Sequence, residues 1–524
     1  MIYFIISLIP SLIYLLIHTK KTLHMFQQNR YNEDNRYLKW INNNKKVFIK
    51  LDYLYLIIFI LSFILSNNFS MIIFFIFYLI LSVILKNTKE QLKKPLVVTA
   101  RVKRLIVTLL ILYLLPIIFI CKSYNKDLLG IYYLIIGTLI YFNYFIVYLA
   151  NIINKPVEKS IYLNFKRKAN NKLKSMSNME VIGITGSYGK TSTKNVVNDI
   201  LNEKYISFKT PKNFNTAYGL INTINNYIDK YNNYFIAEMG TLKPKDIKIE
   251  ASIVKPKYGI LTRIGTAHLE AFGTVENIAK EKFALIESLP SDGIAILNKD
   301  DEYQVHYKIK NNCKVIWYGI NNKADVYATD IKYSKDGMTF NININNKKHE
   351  FKTKLLGEAN IYNILAGVAL ANELGLNIEQ MQRGVSKIRP VEHRLELKKY
   401  GNLNYIDDAY NSNPVGSKMA LDVLNLMPGK KIIITPGMIE LAGKQYELNF
   451  KFGEYISEVV DLAILVGEKQ TKPIQDGLKS KKFDEDKLIV LNDVKDAIKI
   501  AQTKFKGEVY ILLENDLPDI FNEK

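Results

Sequence analysis

Cysteine is almost missing from this chain: there are two in 524 residues, Cys121 and Cys313, far apart in sequence. That excludes a disulfide scaffold, and for the part holding Cys313 it favours a reducing compartment. Glycine, at 26, is too sparse for a collagen repeat, and an apolar fraction of 48% is too high for a disordered chain. Acidic residues are also short, with 50 Asp+Glu against 71 Lys+Arg and a net charge of +21. The shortage is uneven. The first 150 residues hold 17 Lys+Arg and 5 Asp+Glu, so +12 of the +21 lies there. A length of 524 residues allows two or three domains.

Charge is missing altogether from four runs, residues 1–19, 53–85, 105–121 and 128–154. A bilayer core of about 30 Å takes roughly 20 helical residues, with about 17 as a lower limit. The first, third and fourth runs each fit one span. The second is long for one and short for two, and a turn at Asn67-Asn68 would split it. Lys20, Lys21, Arg30, Arg36, Lys39, Lys45, Lys46 and Lys50 fill the loop before it, and Lys86, Lys89, Lys93, Lys94, Arg101, Lys103 and Arg104 the loop after it. Basic short loops stay in the cytoplasm. Both can do so only if an even number of spans separates them, which favours the hairpin. The sequence therefore predicts five spans, an external N-terminus and a cytoplasmic body from about residue 155. A cleaved signal peptide fits poorly, since no charged segment precedes the first run and no A-x-A site follows it. The mean hydropathy of −0.02 averages a membrane segment with a polar body. Orientation signals and attraction to anionic membrane lipid account for the front-end charge. No basic face with base-stacking aromatics points to nucleic acid.

After a basic stretch (Lys166, Arg167, Lys168, Lys172, Lys174), a β-branched run ends in Gly186-Ser-Tyr-Gly-Lys-Thr-Ser192 and passes into apolar positions at helical spacing up to Leu201. Strand, loop, helix is the expected local order. Gly186 and Gly189 let the loop, with Ser187 and Ser192, turn backbone N–H groups toward phosphate oxygens, and the helix N-terminus adds its positive end. Lys190 would reach the β/γ-phosphates of ATP, and Thr191 would offer a hydroxyl to Mg²⁺. The strict G-x-x-x-x-G-K-[ST] pattern is not met, because Ile184 takes the place of its first glycine.

The variant Thr-Gly-x-x-Gly-Lys-Thr-[ST]-Thr resembles the phosphate loop of the Mur ligase family, the ATP-dependent amide ligases that build peptidoglycan stem peptides. Other segments match in the family's order, over about residues 180–520. Lys209-Thr-Pro-Lys-Asn-Phe-Asn-Thr-Ala-Tyr-Gly219 is similar to the Asn-rich loop of the branch that adds D-alanyl-D-alanine. Ile236-Ala-Glu-Met-Gly240 puts Glu238 at a strand end, and Ile264-Gly-Thr-Ala-His-Leu-Glu-Ala-Phe-Gly273 carries His268. Lys282 stands at the family's carbamylated-lysine position, on a helix expected over residues 275–289. Asn298-Lys-Asp-Asp301 looks like the adenine-side loop, and Gly357-Glu-Ala-Asn-Ile-Tyr-Asn363 like the H-N-x-x-N helix start. Glu392-His-Arg-Leu-Glu396 is similar to the arginine hinge, and Asp407-Asp-Ala-Tyr-Asn-Ser-Asn-Pro414 to the D-D-S-Y-N-A-N-P element.

The apolar runs give a multi-span α-helical membrane segment (1–155), and after it the resemblance implies α/β structure: a P-loop-type central ATPase domain (156–388) and a C-terminal Rossmann-like domain (389–524). For the latter, short apolar strands near residues 430, 462, 487 and 509 also argue directly. It implies Lys190, Glu238, His268 and Lys282 as catalytic residues. Thr191, Glu238, His268 and carbamylated Lys282 would hold metal, while Gly186, Ser187, Gly189, Ser192, Asn298, Arg394 and Asp408 would hold ATP. Taken singly, Glu238 is as readily a solvated strand-end charge, His268 a turn residue and Lys282 an exposed helix lysine.

Carboxylate activation by ATP is the chemistry implied, through an acyl phosphate that an amine then attacks. The expected partners are a cell-wall peptide precursor, UDP- or lipid-linked, and a small amino acid or dipeptide. Three departures bear on this. Membrane helices stand where the family's UDP-sugar domain would be. Ala359 replaces the usual His, and Leu513-Glu-Asn-Asp-Leu-Pro518 replaces the K-G-S-R segment. Two alternatives remain: a ligase extending poly-γ-glutamate or modifying lipid-linked muropeptide, and a non-catalytic nucleotide-binding membrane scaffold.

Overall fold

The structure, a computed structural model, describes residues 1–43, 51–87, 95–410, 412–439 and 441–516. Lys45, Lys46, Lys50, Lys89, Lys93 and Lys94 of the basic loops lie outside the described residues, as do Asn411, Leu517 and Pro518. Two compact units divide the chain, Met1–Leu163 and Asn164–Lys524. The α/β parts expected at 156–388 and 389–524 both fall in the second unit.

Among the described residues, three helices of the first unit are long and apolar enough to cross a membrane: Ile2–Gln28, Asn67–Asn87 and Ala100–Lys122. A fourth crossing arises if Lys126–Tyr141 and Asn143–Lys174, bent by 72° at their junction, count as one span. The expected five is therefore not reached. Residues 53–85 do break into two helices, but the break precedes Asn67, which opens the second helix behind Ser66, whose carbonyl accepts the Ser70 N–H (3.0 Å). The first arm, Leu51–Leu61, is about 16 Å long at 1.5 Å per residue, roughly half a hydrocarbon core.

The second unit contains two sheets. The first has nine strands: β1 (Glu180–Thr185), β2 (Ser207–Lys209), β3 (Tyr234–Glu238), β4 (Tyr258–Leu261), β5 (Ile294–Asn298), β6 (Lys314–Gly319), β7 (Val326–Ser334), β8 (Gly337–Ile344) and β9 (Lys347–Thr353). Their order is β2-β3-β1-β4-β5-β6-β7-β8-β9. Pairing is parallel from β2 to β7, and antiparallel for β8 and β9. The sequence shows the change. The inner strands are continuous apolar runs such as Ile294-Ala-Ile-Leu297, as strands covered on both faces must be. In β8 the buried residues Phe340, Ile342 and Ile344 come every second position, and Asn345-Asn346, both at positive φ (51° and 61°), close the hairpin to β9.

Helix Lys190–Leu201 buries Val196, Val197 and Ile200 against Ile182, Ile184, Ile236 and Ile260 of the sheet and against Ile364, Leu365 and Val368 of helix Glu358–Glu373. Each such side chain contributes about 1.5–3 kcal/mol when fully buried. That packing fixes the start of helix Lys190–Leu201 at the carboxyl edge of the sheet.

The second sheet contains β10 (Glu396–Tyr400), β11 (Leu403–Asp408), β12 (Lys430–Thr435), β13 (Leu462–Val466), β14 (Leu488–Leu491) and β15 (Val509–Glu514), in the order β10-β11-β15-β12-β13-β14. All pairs are parallel except β10 with β11. The four strands expected from apolar runs are β12 to β15; β10 and β11 add an edge on the hinge side.

Candidate functional site

β1 lies between β3 and β4, in register so that Ile184 faces Glu238 and Thr185 faces Leu261. A loop leaving β1 therefore emerges between the ends of both neighbours. Gly186 (φ 155°) passes so close to Thr262 that a Cβ there would lie 1.9 Å from its Oγ1, and Gly189 (φ 84°) takes the left-handed turn that starts the helix. Neither position suits another residue. The loop is tied to the segment beyond β4. The Ser187 N–H donates to the Arg263 carbonyl (2.8 Å), the Gly265 N–H donates to Ser187 Oγ (2.9 Å), and the Tyr188 and Thr266 hydroxyls are 3.1 Å apart.

Lys190 folds back over this loop, its Nζ donating to the carbonyls of Gly186 (2.7 Å) and Ser187 (3.2 Å). Burial pushes its ammonium down to about 8, against the attraction of Glu238. The Thr191 hydroxyl donates to Glu238 Oε1 (3.0 Å), as does the Asn215 amide (3.1 Å), while Lys194 pairs with Oε2 (2.8 Å). Burial alone would raise the Glu238 carboxyl. The Lys194 charge and hydrogen bond outweigh it and hold the group below its ordinary range.

Lys282, on helix Val275–Glu287, is 1% exposed. Burial, reinforced by the charge of Lys190, drives its ammonium well below the ordinary value despite Glu250, Glu281 and Asp246 nearby. Glu250, 2% exposed, is pushed well up by burial and by Asp246. Glu281 is engaged with the backbone N–H groups of Lys245 (2.7 Å) and Ile247 (2.9 Å). The site thus holds a lysine suited to the neutral amine form, which an exposed helix lysine would not be. His268 is half-buried at φ 67°, heading the short helix Leu269–Phe272, two residues beyond the Thr266 that Tyr188 touches. Among the described residues no group of three His, Cys, Asp or Glu is arranged to hold a metal. Of the four expected metal ligands, the structure joins Thr191 to Glu238 directly, sets Lys282 within the electrostatic reach of Lys190, and places His268 on the adjoining loop.

The other expected nucleotide residues converge. Gly189, Ser192, Asn298, Arg394 and Asp408 line one cavity of about 130 Å³, together with Tyr362 and Asn363. Asn298, at the end of β5, accepts the Asp300 N–H (2.9 Å), and Asp300 is clamped by the N–H groups of Ile320 (2.6 Å), Asn321 (2.9 Å) and Asn322 (2.8 Å) and the Tyr362 hydroxyl (2.9 Å). The Arg394 guanidinium lies 4.5 Å over the Tyr410 ring. Burial raises Asp408 to about 6 in spite of Arg394. Ala359 lines the same cavity, so the missing His is missing from its wall. Glu514, at the end of β15, is buried and accepts from Ser412 (2.7 Å) and Ser417 (2.8 Å), with burial and Asp408 raising it well above its ordinary value. Sequence reasoning missed Lys194 and Glu250. Lys194 follows Lys190 by one helical turn, a spacing that puts both on one helix face, but nothing in the sequence says that this face is buried against a carboxylate.

Residues 184–371 match the Mur ligase middle domain, and residues 393–513 the Mur ligase glutamate ligase domain. The chain is 32% identical over 307 residues to the UDP-N-acetylmuramoyl-tripeptide–D-alanyl-D-alanine ligase of Buchnera aphidicola subsp. Baizongia pistaciae, covering 56% of this chain and 66% of that protein. To the Bacillus subtilis ligase of the same name it is 28% identical, covering 63% and 72%. It thus spans about two thirds of the length of these relatives. Among solved structures, MurF ligase from Thermotoga maritima in complex with ADP superposes with a TM-score of 0.60 at 25% identity, covering 67% of this chain and 80% of that one.

Proposed function

Because the chain belongs to the Mur ligase family of ATP-dependent peptide ligases, we propose that it is a membrane-anchored amide ligase. It uses ATP and Mg²⁺ to join a small amino acid or dipeptide, D-alanyl-D-alanine in the closest analogy, to a cell-wall peptide precursor. The observation that carries this reading is that the phosphate loop, the Thr191–Glu238 contact, buried Lys282 and the cavity shared by Asn298, Arg394 and Asp408 adjoin one another at one sheet edge.

The residues suit ATP and magnesium. The loop approaches Thr262 so closely that only glycine fits at 186, and Glu238 is an anionic oxygen donor beside a hydroxyl, the ligand type a hard cation takes. Thr191 and Glu238 would hold one ion, and His268 with Lys282 a second, supplying charge neutralisation at the transferring phosphoryl group. Lys190 would leave its resting carbonyls for the phosphate oxygens. Uncharged Lys282 can add to carbon dioxide through its nitrogen, releasing one proton and becoming a carbamate, an acid where the helix supplied only an amine. The substrate carboxylate then attacks the γ-phosphorus and displaces ADP. The amine attacks the resulting acyl phosphate at carbon, phosphate leaves, and the amine's proton passes to solvent or a neighbouring base. Glu238, Lys190 and the loop N–H groups position and neutralise.

Membrane anchoring is supported by the outward face of helix Ala100–Lys122. Val107, Ile111, Leu115 and Phe119, one turn apart, are each about half exposed or more, a stripe suited to lipid. The body would then work at the cytoplasmic face of the cell membrane. Helices in place of the UDP-sugar domain, and the absence of the K-G-S-R segment where Leu513-Glu-Asn-Asp-Leu-Pro518 stands, favour a lipid-linked muropeptide as acceptor, or a poly-γ-glutamate-type chain, as the second reading. The test is release of phosphate from ATP by the full chain in detergent, with UDP-linked and lipid-linked acceptors compared. Release should require acceptor and amine together and vanish in Lys190→Ala. ATP binding without phosphate release on any acceptor and amine would leave the scaffold reading standing.

A further inference from the structure

Directly after helix Ile2–Gln28, three consecutive non-glycine residues, Arg30, Tyr31 and Asn32, have φ of 52°, 56° and 65°, and Asn35 follows at 60°. A left-handed turn is unfavourable for L-residues, so its surroundings must hold it. Gln27 Nε2 donates to the Tyr31 hydroxyl (3.0 Å) and to the Val97 carbonyl (2.8 Å), and Asn32 Oδ1 accepts the Leu38 N–H (3.1 Å). The Arg101 guanidinium lies 4.0 Å over the Tyr31 ring.

Arg101 belongs to a polar seam between helices Ala100–Lys122 and Asn143–Lys174. Arg101 Nη2 donates to Asn151 Oδ1 (3.2 Å), the Thr108 hydroxyl donates to Asn154 Oδ1 (3.1 Å), and Arg104 forks onto Glu158 (2.7 and 2.9 Å). Two buried donors in this seam have no hydrogen-bond partner among the described residues, Arg101 Nε and Asn154 Nδ2, and Asn154 is only 9% exposed. Each such donor is costly to leave unmet. Both lack an acceptor, and the seam's carboxylate, Glu158, is engaged with Arg104.

We propose that this end of the helical unit binds the phosphate group of a lipid, with Arg101 and Asn154 donating to its oxygens and the Arg30–Asn32 turn forming a wall. With the guanidinium held over Tyr31 and Nη2 committed to Asn151, Nε is the donor left to a phosphate oxygen. A lipid is favoured over a free anion because apolar surface flanks the donors. Val107, Ile111 and Leu115 are exposed on the Arg101 helix, and Ile152, Ile153 and Val157 are interleaved with Asn151 and Asn154 on the other. The inference rests on the membrane-anchored reading and gives it a substrate class, an acceptor carried on a lipid phosphate.

The full chain in micelles of a phosphate-free maltoside detergent would be titrated with a polyprenyl diphosphate, the corresponding prenyl alcohol and inorganic pyrophosphate. The diphosphate lipid should bind at least tenfold tighter than either of the others. That preference should be lost in Arg101→Gln and Asn154→Leu and weakened in Arg101→Lys, with unfolding temperatures unchanged. Equal binding of the alcohol, equal binding of pyrophosphate, or wild-type affinity in both Arg101→Gln and Asn154→Leu would each overturn it. Phosphate release from ATP with amine and either a UDP-linked or a lipid-linked acceptor, measured alongside, tests the ligase separately: its absence on both with headgroup binding intact would fell that reading alone.

Discussion

Replacing Lys194 by Met strips the countercharge from Glu238 while leaving a side chain of similar length. The pair is 2.8 Å apart with side chains 2% and 1% exposed, so water cannot take the place of the lost ammonium. Breaking such a pair costs about 3–5 kcal/mol. Thr191 and Asn215 still donate to the carboxylate, which argues for the lower end, about 3 kcal/mol. For a unit of this size that lowers the unfolding temperature by about 4 °C. Glu238→Gln removes the charge from the other side, and the double variant should lose about 2 kcal/mol less than the sum of the two singles. Acid supplies a second readout. The folded carboxyl is held below its ordinary range, so its contribution is present above the unfolded value and lost as pH falls through the folded one. Lys194→Met should shrink that acid-side loss. The assay is thermal unfolding of the full chain in detergent, from neutral pH to about pH 4. A Lys194→Met chain within 1 °C of wild type, or strict additivity in the cycle, would refute the account of Glu238 as a carboxylate held charged by Lys194.

Gly186→Ala should weaken ATP binding at least tenfold by equilibrium titration, because its Cβ would collide with Thr262 Oγ1; unaltered affinity would mean that the loop does not close on phosphate in this shape. Lys282→Ala should lose phosphate release and regain part of it with added short-chain carboxylic acids, whereas full rate in Lys282→Arg would exclude a carbamate. Asp408, raised to about 6 by burial, binds its proton more tightly folded than unfolded. Its contribution is present below the unfolded value near 4 and is lost as pH rises through about 6. Unfolding temperatures should therefore fall over that interval in wild type and less in Asp408→Asn; parallel curves would contradict the assignment.

Much of the body was legible because its signals are local. The β-branched run into Gly186 and Gly189 specifies strand, tight loop and helix start, and the four apolar strands of the second sheet are continuous runs bounded by polar turns. The convergence of Asn298, Arg394 and Asp408 on one cavity followed from the ordered motifs alone. Lys282, which taken singly reads as an exposed helix lysine, is buried in the structure. What escaped was set by tertiary packing. Lys194 has the same local pattern as any helix lysine, and its partner Glu238 comes from a strand 44 positions later. The span count failed because hydropathy measures run length, whereas the break before Asn67 depends on where a helix can be capped. The polar seam of Arg101, Asn151 and Asn154 lies across two helices and has no periodicity that one of them could display.

The shape of the phosphate loop has a consequence for synthesis of the chain. Gly186 is confined by Thr262, and Gly189 by Asn363, whose Oδ1 stands 3.0 Å from where a Cβ would be. The loop is thus among the first pieces of the body to leave the ribosome, while the residue that completes its wall emerges more than 170 positions later. At about 5–20 residues per second that interval is on the order of ten seconds or more. The leading helices, which the proposed function assigns to the membrane, are complete before the nucleotide loop has its wall, so on that reading anchoring comes before ATP capture.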